Sequence, residues 1–457
     1  MIKIESESLN ILVKRHYEYV CSKFLYKLCN IVTGGPLTKE QKNFFEYLYN
    51  SRKDIVTAKP KKLYDITIIC EDTLLRMNTN EREDVYSRLN EIFDYESFSN
   101  EELREFGYTF TKMLKEVKSL VNNTTLRSIE REIGSSTSLQ QLSFLKNKII
   151  NLLKKFRDEN KLLDALLINK ANEIMEEIVY RNFSTLTDLR RKIKEIVEKS
   201  DRWILEKKKE KLFDIREGWG PYQLVMELNL NVCPYCNRQY ISTYYSKNGK
   251  TRGDLDHFFP KKKYPYLALS FYNLIPSCKV CNSSLKNDKD FTYLKNINPY
   301  EEGFEDRYLF TIKAREKEMY KLKSKTNITR MESLGKEYDL DFLYGNSKEF
   351  DIAFKEGPTA SEEFIRKAEC NAEIFKLREL YSLHKDCIQD LIKKSIIYNE
   401  SRMSSLMEEF GGKLFDSEEE ILNLILGVYV QVDNMDKRPF SKFIRDISRE
   451  LGLNILD

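Results

Sequence analysis

The chain has 457 residues, 41% of them hydrophobic, with 76 basic residues nearly balanced by 72 acidic ones. This composition supports packed cores and excludes a disordered polymer, and the length suits two or three domains. The net charge of +4 singles out no partner by itself.

Residues 1–217 read as a large helical scaffold or recognition region. Leu142, Leu145, Ile149, Leu152 and Phe156 recur at three and four, as one face of a helix does. Ile174, Ile178, Leu186, Leu189, Ile193 and Ile196 continue the pattern, with a break near Asn182-Phe-Ser. Such stripes build cores, and they assign this region no chemistry. The opening Met1-Ile-Lys-Ile-Glu-Ser-Glu lacks the basic and then apolar pattern of a secretory signal. No run of about 18 apolar residues offers a membrane span. A cytoplasmic protein without a membrane partner is expected.

Glu217-Gly-Trp-Gly-Pro221 interrupts the helical pattern, and the segment 222–297 is expected to form a small domain of its own. Nine cysteines in a chain without a signal favour thiols and metal sites over disulfides. Cys233-Pro-Tyr-Cys236 and Cys278-Lys-Val-Cys281 are two C-x-x-C pairs. Each pair can grip a metal through one tight turn, and together they complete a tetrahedral structural Zn²⁺ site. The stretch between them is longer than in a simple zinc ribbon, so something is built there.

That stretch contains Asp254-Leu-Asp-His-Phe-Phe-Pro-Lys261, with one of only three histidines in the chain. Asp256 offers a hard anionic oxygen of the kind Mg²⁺ or Mn²⁺ takes. His257 has an ordinary pKa that suits a general base near neutrality, although a histidine in an aromatic run, taken alone, is more often a hydrogen-bonded core residue. Asn282 directly follows the last cysteine, and its amide oxygen is a second hard ligand. Residues 233–290 hold ten Lys or Arg against four Asp, a footprint for a polyanion or an ordinary solvated surface. Lys261, Lys262, Lys263 and Lys286 are the expected nucleic-acid contacts, with a solvated helix lysine as the plain alternative for Lys286.

The run "LDHFFP … FYNLIPSCKVCNSSLK" resembles the HNH nucleases of the ββα-metal type, in the branch that carries a four-cysteine zinc site. The resemblance covers residues 230–295. It implies that Asp256 and Asn282 ligate the catalytic Mg²⁺ or Mn²⁺, Asn282 standing where other members have histidine. It further implies that His257 is the general base and that Asn273 braces the loop between the strands and the helix. The implied activity is phosphodiester hydrolysis of nucleic acid, DNA favoured over RNA, leaving 5′-phosphate and 3′-hydroxyl ends. The implied role is an effector of bacterial anti-phage defence or restriction, alone or beside an ATPase partner protein.

Asn298-Pro-Tyr-Glu-Glu-Gly303 is the next boundary, and 298–457 reads as a mostly helical C-terminal region. Tyr308–Lys313 and Phe350–Phe354 have strand character, and Thr359-x-x-Glu362 fits a capping box opening a long helical run. Arg378 and His384 fit the short pattern of HEPN ribonucleases, with nothing specific around them. The expected fold is therefore mainly α, with a helical N-terminal region, a small ββα-metal domain with zinc knuckles, and an α-rich C-terminal region with a few strands. Two other functions fit the same residues. One is a ribonuclease or tRNA-cleaving effector using the same site. The other is a non-catalytic zinc module that binds nucleic acid, which needs the four cysteines but not Asp256, His257 and Asn282.

Overall fold

A computed structural model describes residues 1–34, 36–105, 107–122, 138–160, 165–210, 216–246, 248–325, 328–338 and 340–453, so Lys247 of the basic segment lies outside the described residues. Helices dominate, and the strands among the described residues occur only in two-stranded antiparallel ladders. The fold is mainly α, as the periodicity predicts. No helix among the described residues is long and apolar enough to cross a membrane. Contacts divide the chain into one unit of Met1–Tyr95, Val225–Tyr245 and Gly249–Asp457 and a second of Glu96–Leu224 with Ser246–Asn248. The first 95 residues thus cluster with the cysteine segment and the C-terminal region, across the sequence boundaries at 217–222 and 297–298.

In the second unit, the helices Tyr108–Leu120, Ser138–Glu159, Ala165–Tyr180 and Leu186–Glu210 share one apolar core. Leu142, Leu145, Ile149 and Phe156 lie in it, with Ile174, Ile178, Leu189, Ile193 and Ile196. Leu153 is fully buried there, whereas Leu152 and Leu186 are only partly covered. The physical reason is the helical step of about 100° per residue, which turns Leu152 to the edge of the stripe and Leu153 into its centre. The expected break at Asn182-Phe-Ser is the turn between two of these helices.

In the first unit, the strand Asp254–His257 pairs antiparallel with Leu274–Ser277, placing Asp256 opposite Ile275 and His257 opposite Leu274. The loop between the strands is aromatic and buried apart from the exposed Lys261–Lys263, and its helical turns Pro265–Leu267 and Phe271–Asn273 pack against N-terminal helices. Ser270 in this loop donates its hydroxyl to the Ile55 carbonyl. The second strand runs on into the helical turn Val280–Lys286, which completes a strand–strand–helix unit. Further on, Tyr308–Ala314 pairs with Phe350–Glu356. The helix expected near Thr359 begins later, as Glu362–Ile374. Its cap is Ser361, which accepts from the Phe364 amide at 3.2 Å. The cap falls two residues later because the Ala360 amide is spent in a turn onto the Gly357 carbonyl, so the chain enters the helix only after it.

Candidate metal frame and strand-end site

The two C-x-x-C pairs come together. Cys233, Cys236, Cys278 and Cys281 are all buried, and their Sγ atoms lie within 4.8 Å of one another. A tetrahedral zinc with Zn–S of about 2.3 Å needs sulfur–sulfur edges of about 3.8 Å. The 4.0 Å between the Cys236 and Cys278 sulfurs suits that edge and is too long for a disulfide. Each knuckle also aims a backbone amide at sulfur: Arg238 N–H at Cys236 and Cys281 N–H at Cys278, both at 3.4 Å. Burial pushes the Cys233 thiol well up, a cost that a divalent cation among the sulfurs reverses. The cluster can hold a zinc ion. Among the described residues it is the one group of three or more His, Cys, Asp or Glu side chains placed to share a metal.

The cysteine frame positions the strand beside it. Asp254 and Asp256 are two apart, so they leave the strand on the same face. Asn282 and Lys286 are four apart on the facing helical turn, so they too share a face. The two spacings match. Asn282 Nδ2 donates to Asp254 at 3.1 Å, and Lys286 Nζ donates to Asp256 Oδ1 at 2.9 Å. The other Asp256 oxygen accepts from the Tyr235 hydroxyl at 2.7 Å. Tyr235 is the residue inside the first C-x-x-C, and its ring stacks on Phe375 with centroids 4.4 Å apart. Burial beside Asp256 holds the Tyr235 phenol well above its ordinary range, which keeps it a donor. Gly253 admits the strand at this point, because a Cβ there would sit 3.2 Å from the Ser277 carbonyl oxygen.

His257 leaves the strand on the opposite face from Asp256. Its Nε2 meets the Ala268 carbonyl at 3.0 Å, and since a carbonyl only accepts, Nε2 carries the proton and Nδ1 keeps the lone pair. Burial, with Lys261 and Lys286 nearby, pushes its pKa down to about 3, so the imidazole is neutral at physiological pH. Asn273 is fully buried and latches the loop after the strand. Its Oδ1 accepts from Phe259 N–H at 2.6 Å, and its Nδ2 donates to the Phe259 and Leu267 carbonyls. A second buried histidine, His16, holds the neighbouring Leu269 carbonyl at 2.8 Å.

One of the four lysines read as nucleic-acid contacts lies away from the open surface. Lys286 is 1% exposed, and besides Asp256 it bonds the His257 carbonyl at 2.6 Å. It faces inward because one helical turn beyond Asn282 points it at the strand. Lys263 is exposed but answered by Glu71 and Asp290. Lys261 lies over the Tyr95 ring at 4.8 Å, and Lys262 is exposed. Asp256 and Asn282, expected to share one ion, bond different partners. Asp254 is a third oxygen donor beside Asn282, and sequence reasoning passed over it. The matched spacings of 254/256 and 282/286 were its signal. These hard oxygens are of the type Mg²⁺ or Mn²⁺ takes. Arg378 bonds Glu369 and Tyr308, while His384 bonds Arg238, so the two residues of the HEPN pattern take separate partners.

The protein is similar to the Septu protein PtuB of Bacillus thuringiensis. The two are 36% identical over 84 residues, which is 18% of this chain and 30% of that protein. The match therefore spans less than a third of the relative's length. No protein-family model matches the chain. No solved structure matches it.

Proposed function

We propose that the protein is a metal-dependent HNH endonuclease that hydrolyses phosphodiester bonds, with DNA as the favoured substrate. One observation carries the reading: a neutral histidine whose Nε2 is committed to the Ala268 carbonyl follows buried Asp256 at a strand end, and Asn282, next to the last cysteine of the frame, bonds Asp254 of the same strand. In this reading His257 Nδ1 takes the proton of the attacking water, because Nε2 is committed to Ala268. Asn273 keeps the loop that carries Ala268 in place. Asp256 and Asn282, with Asp254 beside them, hold the divalent cation, which when bound offsets phosphate charge and stabilises the leaving oxygen. Lys286 and Tyr235 hold the Asp256 carboxylate in place by one hydrogen bond to each oxygen. The similarity to the Septu protein PtuB, together with the HNH resemblance, supports a role in anti-phage defence. An ATPase partner is part of the same proposal.

The Lys286–Asp256 pair also favours a second reading, a non-catalytic zinc module that binds nucleic acid. Such a module needs the pair only as a buried structural contact. Incubation of the purified protein with Mn²⁺ or Mg²⁺ and supercoiled plasmid, linear DNA, single-stranded DNA or total tRNA separates the readings. His257→Ala should lower cleavage by about 10²–10⁴-fold, the usual cost of losing a placed general base, while zinc content holds. A stable His257→Ala protein that cuts at the wild-type rate refutes the mechanism, and a wild-type protein that binds without cutting favours the module.

A further inference from the structure

We infer that Tyr95 is a positioning residue for His257, supplied to the strand-end site by the N-terminal helical region. The inference deepens the nuclease reading and rests on it for its functional consequence. The Tyr95 ring meets the His257 imidazole edge-on, with centroids 4.4 Å apart and planes at 75°. Its hydroxyl donates to the Leu255 carbonyl at 3.3 Å, 160 residues away in sequence. Leu255 is two residues before His257 on the same strand, so the ring is moored to the strand it braces. On the Tyr95 ring itself sits the Lys261 ammonium, 4.8 Å from the centroid. Lysine, tyrosine and histidine thus form one stack beside the strand end.

The stack does what the Ala268 carbonyl cannot do alone. A single hydrogen bond to Nε2 fixes one atom and leaves the imidazole able to rock about that bond. An aromatic contact at this angle restrains the ring plane, because offset and edge-on pairs are the preferred aromatic geometries. Together the two contacts define both which nitrogen is basic and where its lone pair points. A general base displaced by about 1 Å can lose about 100-fold in rate, so the ring plane matters to chemistry as well as to packing. Asn273 acts on the loop that follows the histidine, and Tyr95 acts on the imidazole itself.

The test uses the full chain labelled with ¹⁵N-histidine, where three histidines yield three pairs of ring-nitrogen signals and His257→Ala assigns one pair. In the wild type the His257 imidazole should show a single tautomer protonated at Nε2. Tyr95→Phe keeps the ring and should retain that signal, whereas Tyr95→Ala should broaden it or mix the tautomers. Tyr95→Leu fills volume without a ring and should behave like alanine, so a packing defect is told apart from loss of the aromatic brace. In plasmid cleavage with Mn²⁺, Tyr95→Ala and Tyr95→Leu should lower kcat about 10- to 100-fold with KM changed less than about threefold. Tyr95→Phe should restore most of the rate. An unchanged single tautomer in both Tyr95→Ala and Tyr95→Leu overturns the inference, as does a phenylalanine variant as disturbed as alanine. If the tautomer responds as expected while the wild type cuts no nucleic acid, the nuclease reading fails and the positioning contact stands.

Discussion

The two units bury their polar residues very differently. Among the described residues, the unit of Glu96–Leu224 buries apolar side chains with only Lys192 and Ser200 as polar company. The unit with the cysteine segment buries His16, Asp256, His257, Asn273, Lys286, Asn298 and Asn371, among others. Burying such groups is costly unless each finds partners, so a fold gains nothing in bulk stability from gathering them. Stripe packing is enough to make the first kind of core. The second kind is built where geometry has to be held, and it is the unit that carries the candidate site.

The comparison breaks most severely at the metal frame. Cys233→Ser or Cys281→Ser should abolish binding of about one zinc per chain and unfold the cysteine segment, since structural zinc binding and local folding are one equilibrium. Elemental analysis and proteolysis should show that loss while the Glu96–Leu224 helices keep their protection. Retention of full zinc in both variants would sink the four-thiolate assignment.

Next come single substitutions in the two cores. Lys286→Met leaves Asp256 buried with only Tyr235 as donor, and breaking a buried pair costs about 3–5 kcal/mol. Ile193→Ala in the apolar unit should cost a similar ~2–5 kcal/mol through its cavity. The two should part in the double variant Lys286→Met/Asp256→Leu, which restores much of the stability by removing both charges. Denaturant unfolding measures all of them, and a double variant no better than Lys286→Met would mean that the pair is not the source of the loss.

The most gradual effect is a pH slope. Burial pushes the His16 pKa down to about 4 from an ordinary 6.5. The unfolded chain therefore binds the proton that the folded chain refuses, and stability present above pH 6.5 is lost as pH falls toward 4. By pH 4 the loss from this one group is about 3 kcal/mol. His16→Gln should flatten that part of the curve between pH 6.5 and 4, and thermal melts across the range would show it. An unchanged slope would assign the acid sensitivity to other groups.

Spacing alone announced several features of this chain. The helical stripe, the strands at 308 and 350, and the closing of two C-x-x-C pairs into one cluster follow from periodicity and ligand geometry, which act over a few residues. Motif position also singled out Asp256, His257, Asn273 and Asn282 as candidates. What each side chain touches was decided only in three dimensions. Lys286 looks like a surface lysine in the sequence and is buried on Asp256. Tyr235 looks like a spacer between two cysteines and bonds the same carboxylate. Tyr95 comes from a region with no chemical signature and lies against His257. Local pattern determines which face a residue occupies, but a buried polar group must find its partner wherever the fold brings one, and sequence distance places no limit on that.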